Sequence, residues 1–278
     1  MAMENWRITE ILITGKAYPS PSETYMETVC TGGITREREL IRIYPIPFRY
    51  QEKEKQYKKW DWIKCEIAKA LKTQDPRIES FKIRDESIKI IREATENEIL
   101  NYVLPHVRKN HDNLDEYYKK QYGSLGFIRI QPLEFYWVES SQEWGEKQEK
   151  MLKQLKLIGP QPKKSEKVKW DFKLKFKCWE PCSACQKKVH DKLFLTWEIY
   201  EAFRNFRDKY GSEEEGLKKV KEKFLQVFSD KKYCLLLLGT HIRHHNIWMI
   251  GSFYCPKLDN VERFKSCPKL FDETPKKV

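Results

Sequence analysis

The period of the hydrophobic pattern changes along the chain. In residues 6–17, Ile8, Ile11 and Ile13 sit among threonines, and the run ends at the turn-rich Tyr18-Pro-Ser-Pro-Ser22. This predicts a strand and a turn. Residues 27–33 predict a second strand, closed by Gly32-Gly33, and residues 40–46 a third. In the third, Ile41, Ile43 and Pro45 alternate with Arg42, Tyr44 and Ile46. Residues 62–68 alternate again, 75–80 form a polar connection, and 81–90 predict one more hairpin. Short spacings with turn punctuation describe a twisted, antiparallel, barrel-like unit.

Helical spacing then intervenes. Thr95-Glu-Asn-Glu98 is a capping box, predicting a helix that stops at Pro105, and residues 113–122 predict another that ends at Gly123. Residues 125–138 return to strand, expected to pair with the first sheet and close the N-terminal domain. A basic helix is expected over 141–157, followed by a linker, Gly159-Pro-Gln-Pro-Lys-Lys-Ser165. Residues 170–177 alternate strictly, with Trp170, Phe172, Leu174 and Phe176 on one face and Lys173, Lys175 and Lys177 on the other. Two amphipathic helices follow, over 190–207 and from the cap Ser212-x-x-Glu215. A buried strand over 233–239 turns into another over 247–255, and the tail beyond Pro256 is expected to fray. The whole reads as an α+β protein. A β-rich, barrel-like domain with short helices covers residues 1–158, and a domain with a metal knuckle, two helices and a β-hairpin covers 166–278.

Composition narrows the class. With 40% hydrophobic, 13% aromatic and 34% charged residues, the chain is too apolar for disorder and carries a heavily solvated surface. Residues 1–11 lack the apolar core of a secretion signal, and no run approaches a membrane span. Eight cysteines without such a signal point to reduced thiols and metal in a cytoplasmic setting. The net charge of +12 favours polyanions, nucleic acid first, whether DNA or RNA. A Lys/Glu-rich solvated surface would give the same total. The distribution favours a binding face, because residues 146–178 hold eleven lysines against four acids.

The most specific chemistry is Cys178-x3-Cys182-x2-Cys185-x4-His190. Thiolates on a tight turn with an imidazole just beyond suit tetrahedral Zn²⁺, and four ligands would make the site closed and structural. A cluster of reduced core cysteines is the plainer alternative, but Trp179, Glu180, Ser183 and Gln186 make the segment polar. If three of these bind, Cys255 or Cys267 can complete the set. C-x3-C-x2-C is also the cluster spacing of radical-SAM enzymes. Those cysteines open a parallel barrel, whereas two helices and a hairpin follow here. An iron–sulfur cluster of another kind stays as the alternative cofactor.

Two further groups carry candidate chemistry. The loop His241-Ile-Arg243-His244-His245 can contact phosphates, shuttle protons or bind a second metal. Asp75, Arg77 and Glu79 can hold a hydrolytic metal or set an arginine on a phosphate, and a surface ion-pair turn is the plainer reading. Glu198 is a candidate partner of His190 or a general base. The chain has no P-loop, GxGxxG, nucleophile elbow or HExxH.

The chain also resembles a family of uncharacterised prokaryotic proteins over nearly its full length. The matching residues are Ala17-Tyr-Pro, Tyr25-x-Glu27-x-Val-Cys30-Thr-Gly-Gly33, Arg42-Ile-Tyr-Pro-Ile-Pro-Phe-Arg49 and Lys59-Trp-Asp-Trp-Ile63. Asp75-Pro-Arg-x-Glu-Ser80 and a C-x6-C-x4-H frame of Cys178, Cys185 and His190 leading to Trp197-Glu198 complete the pattern. The resemblance implies no activity. It draws attention to Arg49, Asp75, Arg77 and Glu79, and makes Cys182 an addition of this chain.

The leading expectation is nucleic-acid binding, with Lys169, Lys173, Lys175, Lys177, Arg243, His244 and His245 neutralising phosphates beside a structural metal site. A metal-dependent nuclease or nucleotide hydrolase using Asp75, Glu79 and Arg77, or the histidine loop, is the alternative. A structural or adaptor subunit is the third.

Overall fold

A computed structural model describes residues 5–22, 24–73, 75–140, 146, 166–241 and 244–266. The expected basic helix over 141–157 (Glu146 apart) and the linker over 159–165 lie outside them.

The first six strands are β1 (Arg7–Lys16), β2 (Ser20–Ser22), β3 (Met26–Thr35), β4 (Leu40–Ile46), β5 (Asp61–Lys69) and β6 (Ser80–Glu93). β1 pairs antiparallel with both β3 and β5, β3 pairs with β4, and β5 pairs with β6. β4 and β6 close the ring as its one parallel pair, and β2 lies on β3 outside it. Alternation fills the interior with Ile11, Ile13, Val29, Ile41, Ile43, Ile63, Cys65 and Ile67, together with Phe48 and Tyr57 from the β4–β5 connection. Counting only the ring strands β1, β3, β4, β5 and β6 as first to fifth, the order is 1-2-3-5-4-1 with third and fifth parallel. This is the order of the OB-type Greek-key barrel. The hairpin expected over 81–90 is instead the single long strand β6. Its register slips twice against β5, and such bulges let one strand bend around a small barrel.

The second sheet is built from β7 (Val107–Arg108), β8 (Leu125–Glu139), β9 (Trp170–Cys178), β10 (His190–Leu193), β11 (Leu235–His241) and β12 (His244–Tyr254). Its order is β10-β9-β8-β11-β12, with β7 beside β8. β8 was expected to close the barrel but is the central strand here. The β1–β3 pairing already closes the ring and leaves no edge for it to join.

Five helices complete the described chain: α1 (Glu96–Val103), α2 (His111–Gln121), α3 (Trp197–Tyr210), α4 (Glu213–Val227) and α5 (Leu258–Ser266). The Thr95 and Ser212 caps form as their spacing predicts. The helix expected over 190–207 splits, because residues 190–193 pair with β9 and helix begins only after Thr196. Of the tail expected to fray, Leu258–Ser266 forms α5, whose Val261 is buried with Ile99, Leu100 and Val103 of α1, and residues 267–278 lie outside the described residues. Among the described residues no helix is long and apolar enough to cross a membrane.

Aromatic packing of α3 and α4 on the second sheet makes one core, centred on Phe135, Phe172, Phe194, Phe203 and Phe224. Where the sheet meets the barrel, Ser252 Oγ donates to Thr14 O at 2.6 Å and Tyr18 N to Leu195 O at 2.6 Å. This sheet roofs one face of the barrel.

Candidate functional site

β9 ends at Cys178, and pairing of His190 with Phe176 brings the start of β10 back beside it. The turn between them carries Cys182 and Cys185, so three sulfurs and one imidazole nitrogen lie within 4.8 Å of one another. Cys182 Sγ is 3.3 Å from Cys185 Sγ and 3.1 Å from His190 Nε2, and Cys178 Sγ is 3.5 Å from that nitrogen. All four residues are buried. The N–H groups of Cys178 and Cys185 point at sulfurs, to Cys185 at 3.2 Å and to Cys182 at 3.4 Å. Burial pushes the Cys178 thiol well above its usual range and lowers the His190 imidazole to about 4, with His111 and Lys192 adding to the latter. His190 is therefore neutral and ready to ligate at neutral pH; the Cys178 and Cys182 thiols, raised by burial, need a cation to ionise, while hydrogen bonds lower the pKa of Cys185 against its burial. The donor set fits one metal ion.

The N-terminus of α2 holds this turn. Asn110 Nδ2 donates to Pro181 O at 3.1 Å, and the Asp112 carboxylate accepts from Ser183 N at 2.7 Å and Oγ at 2.9 Å. His111 stacks on His190 with ring centroids 4.6 Å apart, and its Nδ1 lies 3.2 Å from Asp115, which accepts Trp248 Nε1–H at 2.7 Å. Such outer contacts fix ligand orientation. Cys255 does not belong to this group. It sits beside Cys234, near the Leu235–Tyr254 pair that starts the β11–β12 ladder. Cys267 lies outside the described residues.

A second feature lies on the roofed barrel face, a cavity of about 490 Å³. Tyr18, Cys30, Arg42, Tyr44, Asp75 and Arg77 line it from the barrel side, and Leu237, Thr240 and His241 from the second sheet. Alternation explains Arg42 and Tyr44: Ile41 and Ile43 point into the barrel, so the residues beside them point out. Arg77 sets Nε at 2.8 Å and Nη2 at 2.6 Å on the two Asp75 oxygens, and Nη1 at 2.9 Å on Thr240 O. Arg42 is 6% exposed, with Nη1 3.2 Å from Ser124 Oγ and Nη2 3.3 Å from Ser124 O. No carboxylate among the described residues comes within ion-pair distance of Arg42, and burial lowers its pKa. A size of a few hundred cubic ångströms, apolar walls and a few convergent polar groups describe a small-molecule site.

Asp75 and Glu79 do not converge. Asp75 faces the cavity, while Glu79 lines a separate one of about 300 Å³ with Arg108 and Tyr117. Its Oε1 accepts from Ser124 N, its Oε2 has no hydrogen-bond partner among the described residues, and burial raises its pKa against the pull of Arg42. The lysine row is largely answered by acids: Lys173 by Asp191 at 2.8 Å, Lys175 by Glu134 at 2.8 Å and Lys169 by Glu213 at 2.6 Å, with Lys177 exposed. His241 lies on the cavity wall, its ring stacked with His244 at 5.6 Å. Arg243 and the His245 side chain lie outside the described residues. Arg49 pairs with buried Glu27 at 3.3 Å, and Glu198 pairs with Lys59 at 3.2 Å rather than with His190.

Arg42, Cys30 and Ser124 did not stand out as site residues in the sequence. An arginine inside the apolar run 40–46 was the available signal for Arg42. Nothing local marks Ser124.

A scan against family models finds two adjoining matches. Residues 7–103, which hold the barrel, match Domain of unknown function (DUF8758). No curated protein matches the chain. Residues 108–275, which hold the second sheet, the knuckle and the last four helices, match the second model over more than half of the chain, and the chain belongs to that family, Domain of unknown function (DUF8757).

Proposed function

We propose that this is a nucleic-acid-binding protein whose roofed barrel pocket receives a phosphate-bearing nucleotide unit, with the Cys/His knuckle holding a structural zinc ion. The observation that carries the reading is the position and charge of the pocket. OB-type barrels bind oligonucleotides and oligosaccharides on the face of their second and third strands, between the first and fourth loops. The cavity uses the equivalent parts of this barrel: Cys30 on β3, Arg42 and Tyr44 on β4, Tyr18 after β1 and Asp75 and Arg77 before β6. This is an analogy of fold. The guanidiniums give it chemical direction, since a buried Arg42 with Asp75 and Glu79 nearby but no carboxylate within ion-pair distance suits a phosphate better than a neutral sugar. Four buried ligands of Cys₃His type suit zinc in a closed site.

Titrating labelled single-stranded DNA and RNA, with nucleoside monophosphates as competitors, tests the reading. Arg42→Gln is expected to weaken binding about tenfold or more, the scale of a lost charge-assisted hydrogen bond. Affinity that ignores both salt and Arg42→Gln would sink it.

Hydrolysis is the second reading, favoured by His241 and Asp75 lining the same cavity. It predicts turnover of a labelled oligonucleotide in Mg²⁺ or Mn²⁺ that Asp75→Ala or His241→Ala abolishes. No turnover in either metal would remove it.

A further inference from the structure

On the other side of β1 from the pocket, the barrel corner at residues 58–60 faces α3 and α4 across an open trough. Two adjoining cavities, of about 710 and 420 Å³, share Lys59, Trp60, Lys223 and Phe253 as walls. The trough is lined by Lys16, Lys58, Lys59, Lys223 and Lys232 against Glu198 and Glu201. Both acids are already answered, Glu198 by Lys59 at 3.2 Å and Glu201 by Arg204 and by Trp197 Nε1 at 3.1 Å. The ammonium groups of Lys58, Lys223 and Lys232 have no carboxylate partner among the described residues. The Lys16 ammonium sits 3.9 Å from the Phe48 ring centroid and donates to Tyr57 O at 2.6 Å. Burial lowers its pKa to about 8, against the pull of Glu198 and Asp61, so it is still mainly charged at pH 7.

Trp60 adds a second, independent sign. Its φ is +71°, a left-handed conformation that a bulky side chain rarely adopts. The backbone is clamped there from both sides, Trp60 N donating to Ile13 O at 2.8 Å and Ala94 N to Trp60 O at 2.9 Å. The indole is half-buried and meets Tyr254 edge-on at 4.9 Å. Over-determined strain of this kind gathers at ligand sites.

We infer that this trough binds the backbone of a single-stranded nucleic acid, its lysines facing phosphates and Trp60 offering a face for a base. The inference rests on the nucleic-acid reading above and extends it to a second surface. Unpaired ammonium groups interleaved with aromatic rings are the chemistry that holds single strands without reading sequence. Gly15 and Ala17 line the pocket while Lys16 between them lines the trough, so the two sites can be altered separately.

The test uses the full chain and two probes, a labelled 20-nucleotide single strand and a labelled mononucleotide, across a range of salt. The double variant Lys58→Glu/Lys223→Glu is expected to lose about tenfold or more in oligonucleotide affinity. Its salt slope should fall by about 0.7 for each lysine. Trp60→Ala should lose about tenfold by removing a stacked base. Mononucleotide binding should stay at the wild-type level in both, which also shows that they fold. Unchanged oligonucleotide affinity in both variants overturns the trough, even if Arg42→Gln still abolishes binding and so upholds the pocket. Wild-type protein that binds neither probe overturns both. Polyglutamate competing as well as the oligonucleotide, with Trp60→Ala silent, would make the trough a surface for an acidic polypeptide and overturn the inference.

Discussion

Arg77 lays two arms of its guanidinium on the Asp75 carboxylate, at 2.8 and 2.6 Å, and reaches with the third across to Thr240 O at 2.9 Å. One loop of the barrel is thereby tied to a strand of the second sheet, and the tie forms a wall of the pocket. Removing the carboxylate leaves a mostly buried guanidinium with only the carbonyl. Asp75→Ala is expected to cost about 2 kcal/mol, below the range for fully buried pairs because the Asp75 side chain keeps 15% of its surface exposed. Burial works to raise the Asp75 pKa, but the hydrogen bonds from Arg77 outweigh it and hold the carboxyl below its ordinary value. A depressed carboxyl contributes stability above its unfolded pKa of about 3.9 and loses it as pH falls further. Thermal melts of wild type and Asp75→Asn between pH 3 and 7 should therefore converge at the acid end. A constant gap would mean that the pair contributes through shape rather than charge.

Metal removal is expected to unfold the second sheet's helical layer. Cys178, Cys182 and Cys185 belong to the same core as Phe135, Phe172 and Phe224, so vacating the site disturbs the largest aromatic cluster. Structural zinc sites contribute roughly 10 kcal/mol or more to folding. Elemental analysis should find one zinc per chain, and a chelator should release it while lowering the melting temperature by about 10 °C or more. Cys182→Ser should lose most of the metal and Cys255→Ser none. Retention of metal by Cys182→Ser would mean a three-ligand site built on Cys178, Cys185 and His190 alone. Iron with sulfide in place of zinc would make the knuckle a cluster site.

The alternating lysines of β9 should matter less for nucleic acid than their spacing suggests. Lys173 and Lys175 each spend their charge on a carboxylate of a neighbouring strand. Exposed pairs of this kind are weak, but they cancel the field that a phosphate would feel. Lys173→Gln/Lys175→Gln is expected to change oligonucleotide affinity less than threefold, against tenfold or more for the trough variant. Asp191→Asn/Glu134→Gln should strengthen binding. The opposite ranking would return the main surface to β9.

The difference between those two lysine sets marks where sequence reading succeeds and fails. Strict alternation over 170–177 located the core face of β9 correctly, because burial of Phe172, Leu174 and Phe176 is a local consequence of the pleat. It said nothing of Asp191 and Glu134, which arrive from other strands. The knuckle was legible because one short segment supplies all four donor groups. The pocket was only half legible: Asp75, Arg77 and His241 stood out as types, but Cys30 and Arg42, the latter held by Ser124 from behind, meet them only through barrel closure and docking of the second sheet. Barrel closure misled the reading of β8. Its pattern specifies a strand and a buried face, and which sheet it joins depends on β1 and β3 having already paired. Trp60 and Lys16 carry no local signal, since one depends on a backbone angle and the other on rings from the β4–β5 connection and α3.

At Gly15 the two halves of the molecule come close enough that a methyl group tests their docking. A Cβ there would lie 2.5 Å from both Cβ and Oγ of Ser252. Ser252 is 1% exposed and cannot turn aside without losing its 2.6 Å bond to Thr14 O. Gly15→Ala is therefore expected to destabilise by about 2 kcal/mol through overpacking. In a chain of this size that lowers the melting temperature by about 4–8 °C. Ser252→Gly alone removes the hydroxyl and costs about 1 kcal/mol, but in combination with Gly15→Ala it makes room for the new methyl. The double variant should then recover most of the loss, a strongly non-additive cycle of the kind seen for residues in contact. Additive costs would mean that the barrel and the second sheet meet in some other way, and the pocket between them would have to be redrawn.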